Sequence, residues 1–237
     1  MKDMEKINKL LEIIKESDNI VFFGGAGTST ESGINDFRGK NGVYNTKYKG
    51  YNPEDILHID FFISHRKIFN DFLKEKMNFK NCKPNKGHYA LVKLEELGKL
   101  RAVITQNIDS LHQKAGSKNV LELHGTIAYF QCLSCGRKEE EYFSCDCGGI
   151  VRPPVTLYGE NLNEEVVEKA IEYISKAETL IICGTSLVVY PAAYYIKYFK
   201  GKNLIIVNGT ETSYDEKADL VIRDNFGEVF DYIGKKL

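Results

Sequence analysis

Short, wholly apolar runs that follow stretches of helical periodicity constrain this chain more than any other feature. Residues 4–16 place Ile7, Leu10, Leu11 and Ile14 at i, i+3, i+4 and i+7, one buried stripe of an amphipathic helix. A strand at 19–23 follows at once and ends in Gly24, Gly25 and Gly27. The pattern returns as a helix over 86–97 stopped by Gly98, then a strand at 102–105. It returns again as a helix over 164–176 with Asn163 as N-cap, then a strand at 180–183. Strands at 120–123, 204–207 and 220–222 and a closing helix near 227–235 complete the series. Strands with no polar side must be covered on both faces, which is the property of a parallel sheet in an α/β fold. The expected architecture is a Rossmann-like parallel sheet with helices on both faces, whose ligands bind at the carboxyl ends of the strands.

Two segments break the alternation. Residues 39–83 are aromatic-rich and partly helical, with Ser64 as a candidate N-cap, and residues 131–154 hold four of the six cysteines. The expected division is a nucleotide-binding domain made of 1–38, 84–130 and 155–237. A smaller helical and zinc-binding module, made of 39–83 and 131–154, would pack beside it. Cys132, Cys135, Cys145 and Cys147 fall within sixteen residues as C-x2-C-x9-C-x-C. Four thiolates at that spacing suit a closed, tetrahedral structural zinc site, and a chain of this size needs no disulfide scaffold. Cys183, inside an apolar strand, reads as a small core residue.

Charge excludes other classes. With 32 Lys and Arg against 33 Asp and Glu, the 237-residue chain carries a formal charge of −1. A protein that grips nucleic acid by neutralising phosphates needs a basic excess, so direct nucleic-acid binding is not expected. The most apolar stretches, 20–23 and 180–183, are far shorter than the roughly 20 residues of a spanning helix. The first eighteen residues mix charge with apolar positions, unlike a signal peptide. A soluble, cytoplasmic protein with no membrane partner is the expectation.

Three motifs sit where the expected strands end. Gly25-Ala26-Gly27 would let backbone amides approach a pyrophosphate before a helix, although such turns also occur with no ligand. The acidic residue that a dehydrogenase would place about 20 residues further on is missing. Thr105-Gln106-Asn107-Ile108-Asp109 offers amides and a carboxylate suited to a carboxamide and sugar hydroxyls, and Asp109 would equally serve as a helix N-cap. Glu122-Leu123-His124-Gly125 puts a histidine at a third strand end.

Taken in order, Gly25 to Ser29, the run Gly33-Ile34-Asn35-Asp36-Phe37-Arg38, Thr105 to Asp109, His124-Gly125 and Gly184-Thr185-Ser186 resemble the sirtuins, NAD-dependent protein-lysine deacylases, over essentially the whole chain. Asn35 stands where the family usually has proline, and Leu157-Tyr158-Gly159-Glu160 varies its usual aromatic-Gly-Glu stretch. The resemblance implies cofactor-binding roles for Gly25, Ala26, Gly27, Ser29 and Thr30, with Phe37 and Arg38 on a loop over the ribose. It implies that Gln106 and Asn107 contact ribose and an ordered water. Ile108 and Asp109 would hold the nicotinamide carboxamide, and Gly184, Thr185, Ser186 and Asn208 would lie at the adenosine end. His124, with Asn107 as second catalytic residue, would accept a proton from a ribose hydroxyl. NAD is then consumed as a co-substrate, and the products are nicotinamide, O-acetyl-ADP-ribose and lysine. An acetyl-lysine peptide would enter as an added strand between Tyr158, Gly159, Glu160 and Asn161 on one side and Val188, Val189 and Tyr190 on the other. Family members selective for acidic acyl groups carry a Tyr and an Arg three residues apart. Phe72 and Glu75 occupy the matching positions here, implying neutral acyl groups, acetyl first, with longer neutral chains open. Protein ADP-ribosyl transfer would use the same NAD site.

Overall fold

The computed structural model describes residues 3–39 and 42–237. Helix α1 (Met4–Glu16) leads into strand β1 (Ile20–Gly24), followed by 3-10 turns at Ala26–Thr28 and Thr30–Ser32. A helical segment comes next, with α2 (Pro53–Ile56), α3 (Ile59–Ser64) and α4 (Arg66–Lys76). Helix α5 (Lys86–Glu96), β2 (Leu100–Thr105), α6 (Leu111–Ala115) and β3 (Val120–Glu122) return to the sheet. Short strands β4 (Phe130–Cys132), β5 (Lys138–Glu139) and β6 (Val151–Arg152) form a separate antiparallel sheet. The chain then runs through α7 (Glu164–Lys176), β7 (Thr179–Cys183), a 3-10 stretch (Ala192–Tyr198), β8 (Asn203–Val207), β9 (Leu220–Ile222) and α8 (Phe226–Lys236).

The main sheet has the order β3-β2-β1-β7-β8-β9, and every pairing in it is parallel. This is the doubly wound order, with its switch point between β1 and β7. Alternation along each strand sends side chains to two cores. Ile20 and Phe22 meet Leu10, Leu91 and Phe230 of α1, α5 and α8, while Val21 and Phe23 meet Ala170 and Ile174 of α7. All four strand residues are fully buried, each contributing roughly 1.5–3 kcal/mol relative to exposure.

A third core joins the helical segment to the base of the cysteine-bearing segment. Phe62, Phe69, Phe72, Leu73 and Met77 pack with Ile150, Val155 and Leu157. Lys80 also reaches across to Glu140 and Glu141. Residues of the two excursions from the sheet therefore touch.

Local signals explain several boundaries. The Asn163 side chain accepts the Val166 N–H at 3.1 Å, and Gly98 at φ 72° ends the turn after α5. Two expectations fail. Ser64 is the last residue of α3, where its hydroxyl donates to the Asp60 carbonyl, and His65 precedes α4. No α-helix follows the glycine turn, because the backbone there spirals tightly in 3-10 geometry against β7. Among the described residues no helix is long and apolar enough to cross a membrane.

Candidate active site

Each motif leaves the sheet at a carboxyl end and is tied to the neighbouring strand's end. The Gln106 N–H donates to Gly24 O (3.0 Å), the Gly25 N–H to Cys183 O (3.0 Å) and the Gly27 N–H to Gly184 O (2.7 Å). The Gly184 N–H donates to Val207 O (3.2 Å) and the Asn208 N–H to Ile222 O (3.0 Å). Gly25 and Gly27 are required by this packing itself. A Cβ on Gly25 would lie 2.7 Å from Cβ of Thr185, and one on Gly27 2.7 Å from Cα of Gly184. The glycines let β1's loop rest on β7's loop at the switch point, with Ala26 and Gly27 of the turn beside the cavity.

His124 follows β3, and its Nδ1 lies 2.8 Å from the Gln106 carbonyl. A carbonyl only accepts, so Nδ1 carries the proton and Nε2 is left as the free base. Burial lowers the imidazole pKa below its ordinary value, and the Gln106 hydrogen bond partly opposes the shift. The ring is therefore neutral at pH 7.

Beneath the cavity lies a buried polar network. Asp109 accepts the Leu111 N–H at Oδ1 (2.9 Å) and the Ser29 hydroxyl at Oδ2 (2.7 Å). Asn107 Nδ2 donates to both Thr28 Oγ1 (3.1 Å) and Ser29 Oγ (3.0 Å). Burial raises the Asp109 pKa above the usual carboxylate value, against the pull of those two donors. Asp109 thus accepts the α6 amide next to the cap position, and Ser110 itself takes a left-handed φ of 56°.

These strand ends surround one cavity of about 540 Å³. The family model described as the Sir2 family matches residues 25–191, which include the glycine turn, the network and His124. The chain belongs to the Sir2 family. It is 60% identical over 234 residues to a protein named NAD-dependent protein deacetylase from Fusobacterium nucleatum subsp. nucleatum, covering 98% of this chain and 93% of that one. A protein of the same name from Clostridium acetobutylicum is 53% identical over 241 residues, covering 97% and 98%. Among solved structures, a Sir2 complex with p53 peptide and NAD+ superposes with a TM-score of 0.86 at 39% identity, covering 100% of this chain and 98% of that one. A Sir2 variant with deacetylated p53 peptide and 3'-O-acetyl-ADP-ribose gives 0.87 at 39% identity, covering 97% and 98%.

In this Sir2 chain the cavity is lined by most of the expected cofactor residues. They are Ala26, Gly27, Thr30, Phe37, Arg38, Gln106, Asn107, Ile108, His124, Gly184, Thr185, Ser186 and Asn208. Gly25, Ser29 and Asp109 stand one layer back, in the turn and the network just described. Of the expected peptide residues, Tyr158, Glu160, Val189 and Tyr190 line the same cavity, while Val188 is exposed at the surface. Neither flanking segment is a regular strand. Tyr158 makes one isolated bridge, with His58. The Glu160 carboxylate turns inward to the Arg152 guanidinium, both contacts being 2.8 Å. Phe72 is buried in the small module and packs on Tyr48, whereas Met77 reaches the cavity.

Three contributors were not singled out from the sequence. Asn85 caps α5 and donates from Nδ2 to the Thr28 carbonyl at 2.8 Å, bracing the cofactor turn from behind. Arg152 anchors the segment before Tyr158, and Tyr44 closes the cavity rim. Asn85 had a legible signal, a polar cap with a side chain three residues on that returns to it, here His88.

The four cysteines come together as expected, with all Sγ atoms within 4.8 Å of one another. Sγ separations of 3.4–3.5 Å are far too long for a disulfide and close to the tetrahedron edge of about 3.8 Å implied by Zn–S bonds of about 2.3 Å. Both pairs sit on turns ended by left-handed glycines, Gly136 and Gly148. The donor set fits a closed structural zinc ion, with no position left open for chemistry.

Proposed function

We propose that this chain is an NAD-dependent protein deacetylase, transferring the acetyl group of acetyl-lysine to ADP-ribose and releasing nicotinamide. The observation that carries the reading is His124, kept neutral by burial and oriented by the Gln106 carbonyl on the wall of a cavity at the sheet's switch point. NAD, consumed as co-substrate, supplies an anomeric carbon that becomes electrophilic as nicotinamide leaves.

The chain's own groups do the rest. Ala26, Gly27 and Thr30 bind the diphosphate side, and Thr185, Ser186 and Asn208 bind the adenosine end. Ile108 and Asp109 hold the carboxamide. Asp109 is anchored by Ser29 and Leu111 directly behind Ile108 on the cavity wall. The amide oxygen of acetyl-lysine is a weak nucleophile, so its placement by the 158–162 and 187–190 segments must substitute for reactivity. His124 Nε2 takes a proton from a ribose hydroxyl, and that oxygen bonds to the acetyl carbon. Water then adds, and lysine departs with the proton it needs. The balance is NAD, acetyl-lysine and water in; nicotinamide, O-acetyl-ADP-ribose and lysine out.

Neutral acyl groups suit this cavity. Arg38 is the one Lys or Arg among the described residues lining it, and its guanidinium is engaged by Glu54 at 2.8 Å. On this reading residues 1–38, 84–130 and 155–237 bind NAD, while 39–83 and 131–154 form the module that presents the peptide. The zinc held by Cys132, Cys135, Cys145 and Cys147 stiffens that module. The cytoplasm, where NAD and acetylated proteins coexist, is the proposed location.

The test is nicotinamide release from NAD, with and without an acetyl-lysine peptide, for wild type and His124→Ala. Peptide-dependent release matched by O-acetyl-ADP-ribose and lost in the variant is the expected result. Release without acyl-lysine, with ADP-ribose transferred to protein, would overturn it.

A further inference from the structure

The residue at 158 carries a hydroxyl whose partners lie on the opposite wall of the cavity. Its oxygen stands 3.2 Å from the Tyr44 hydroxyl and accepts from Arg38 Nη2 at 3.3 Å. The same Nη2 donates to Glu54 Oε1 at 2.8 Å, and the guanidinium carbon lies 5.1 Å over the Tyr44 ring. Tyr44 is in turn fastened to the cofactor loop. Its N–H donates to Phe37 O at 3.0 Å, and its ring lies 5.2 Å from that of Phe37. Burial first, then the Tyr158 hydrogen bond, raises the Tyr44 phenol well above its ordinary pKa, so it remains a neutral hydroxyl at any physiological pH.

The Tyr158 backbone is itself fixed by the 57–59 segment. Its N–H donates to Leu57 O (3.0 Å) and its carbonyl accepts the Ile59 N–H (2.9 Å). A phenol held on a fixed segment therefore grips two residues of the loop, Arg38 and Tyr44. An aromatic residue without a hydroxyl would fill the same space and make neither contact.

We propose that Tyr158 is a positioning residue for the NAD site, its hydroxyl clasping Tyr44 and Arg38 so that both side chains hold their places on the cavity wall. This rests on the NAD-binding reading above. The contact is a hydrogen-bonded pair, so its two halves must be energetically coupled.

The experiment is a double-mutant cycle of Tyr158→Phe and Tyr44→Phe, read as ADP-ribose affinity by calorimetry without peptide, alongside the KM for NAD. Each variant removes one oxygen and keeps its ring. Each single change is expected to weaken ADP-ribose about fivefold, a loss of about 1 kcal/mol typical of one hydrogen bond. The double variant is expected to weaken it by no more than about fivefold, and kcat should change less than KM for NAD. Either single variant binding as wild type, or two losses that multiply to about 25-fold, would overturn the proposal. Failure of the deacetylase reading would look different. The wild type would then release no peptide-dependent nicotinamide while the cycle in ADP-ribose affinity stayed intact.

Discussion

Arg152→Met is the substitution that tests how the peptide-side wall is held. Arg152 Nη1 and Nη2 each donate to a Glu160 oxygen at 2.8 Å, and Nη2 also donates to the Val155 carbonyl at 2.6 Å. The guanidinium lies 5.1 Å over the Phe62 ring, and Glu160 also accepts the Leu157 N–H at 2.8 Å. The side chains are 8% and 29% exposed. Burial opposes ionisation of Glu160, but the Arg152 and Leu157 hydrogen bonds and the Arg152 charge win, and its pKa falls below the usual value. Breaking one side of a buried pair costs about 3–5 kcal/mol. The partial exposure of Glu160 brings the expected loss to about 2–3 kcal/mol. In a chain of this length that is a fall in Tm of roughly 4–12 °C.

Glu160→Gln added to Arg152→Met removes the stranded charge and should restore about 1 kcal/mol. Because the folded pKa of Glu160 is depressed, the pair's contribution is present above about pH 4.3 and is lost as pH falls through the folded value. The gap between wild type and Arg152→Met in urea titrations should therefore narrow below pH 4. The variant should also raise KM for an acetyl-lysine peptide more than KM for NAD, since 157–160 is the wall it loosens. A loss below about 0.5 kcal/mol, or a double variant worse than the single, would refute the reasoning.

Two further outcomes concern histidines. In the proposed mechanism His124 acts as a neutral base with a pKa lowered by burial, so kcat should hold constant down to a pH below 6.5 and fall only under that; a kcat that halves above pH 7 would remove His124 from this role. The His88 and His112 rings lie 4.7 Å apart, tilted by 55°, between α5 and α6 against Phe226 and Phe22, and among the described residues no hydrogen-bond partner is found for His88 Nε2 or either His112 nitrogen. Burial pushes His88 down to about 4 and His112 well below its ordinary value, so the folded protein keeps both neutral while the unfolded chain protonates them. Stability should therefore rise with pH between about 4 and 6.5. His88 alone accounts for about 3 kcal/mol across that window, and His88→Gln should flatten the slope in denaturant titrations at fixed pH.

What was legible in the sequence follows from how the fold brings residues together. Strands β1, β2, β7 and β8 could be read because a parallel strand buried on both faces has no polar position to blur its limits. The chemistry could be read for the same reason: Gly25, Gln106, His124, Gly184 and Asn208 each fall just past a strand, and a parallel sheet gathers those positions at one edge. Strands β4 to β6, two or three residues each, carry no periodicity, because that segment is held by thiols rather than by an apolar face.

Contacts between the two walls of the cavity were illegible for a different reason. Asn85 meets Thr28 across 57 residues, and Tyr44 meets Tyr158 across 114, with no local pattern at either end naming the other. Arg152 and Glu160 are only eight apart, yet the bend between them, which turns both side chains inward, has no signal beyond two prolines. Glu160 lines the cavity while its carboxylate pairs with Arg152, a pairing that no local pattern announces. The reacting groups are thus set by sheet topology, whereas the fit of cofactor loop to peptide wall depends on side chains such as Tyr44, Tyr158 and Arg152. Differences between chains of this family in how tightly that cavity closes should therefore arise at those positions, and the Tyr44 and Tyr158 cycle measures one of them directly.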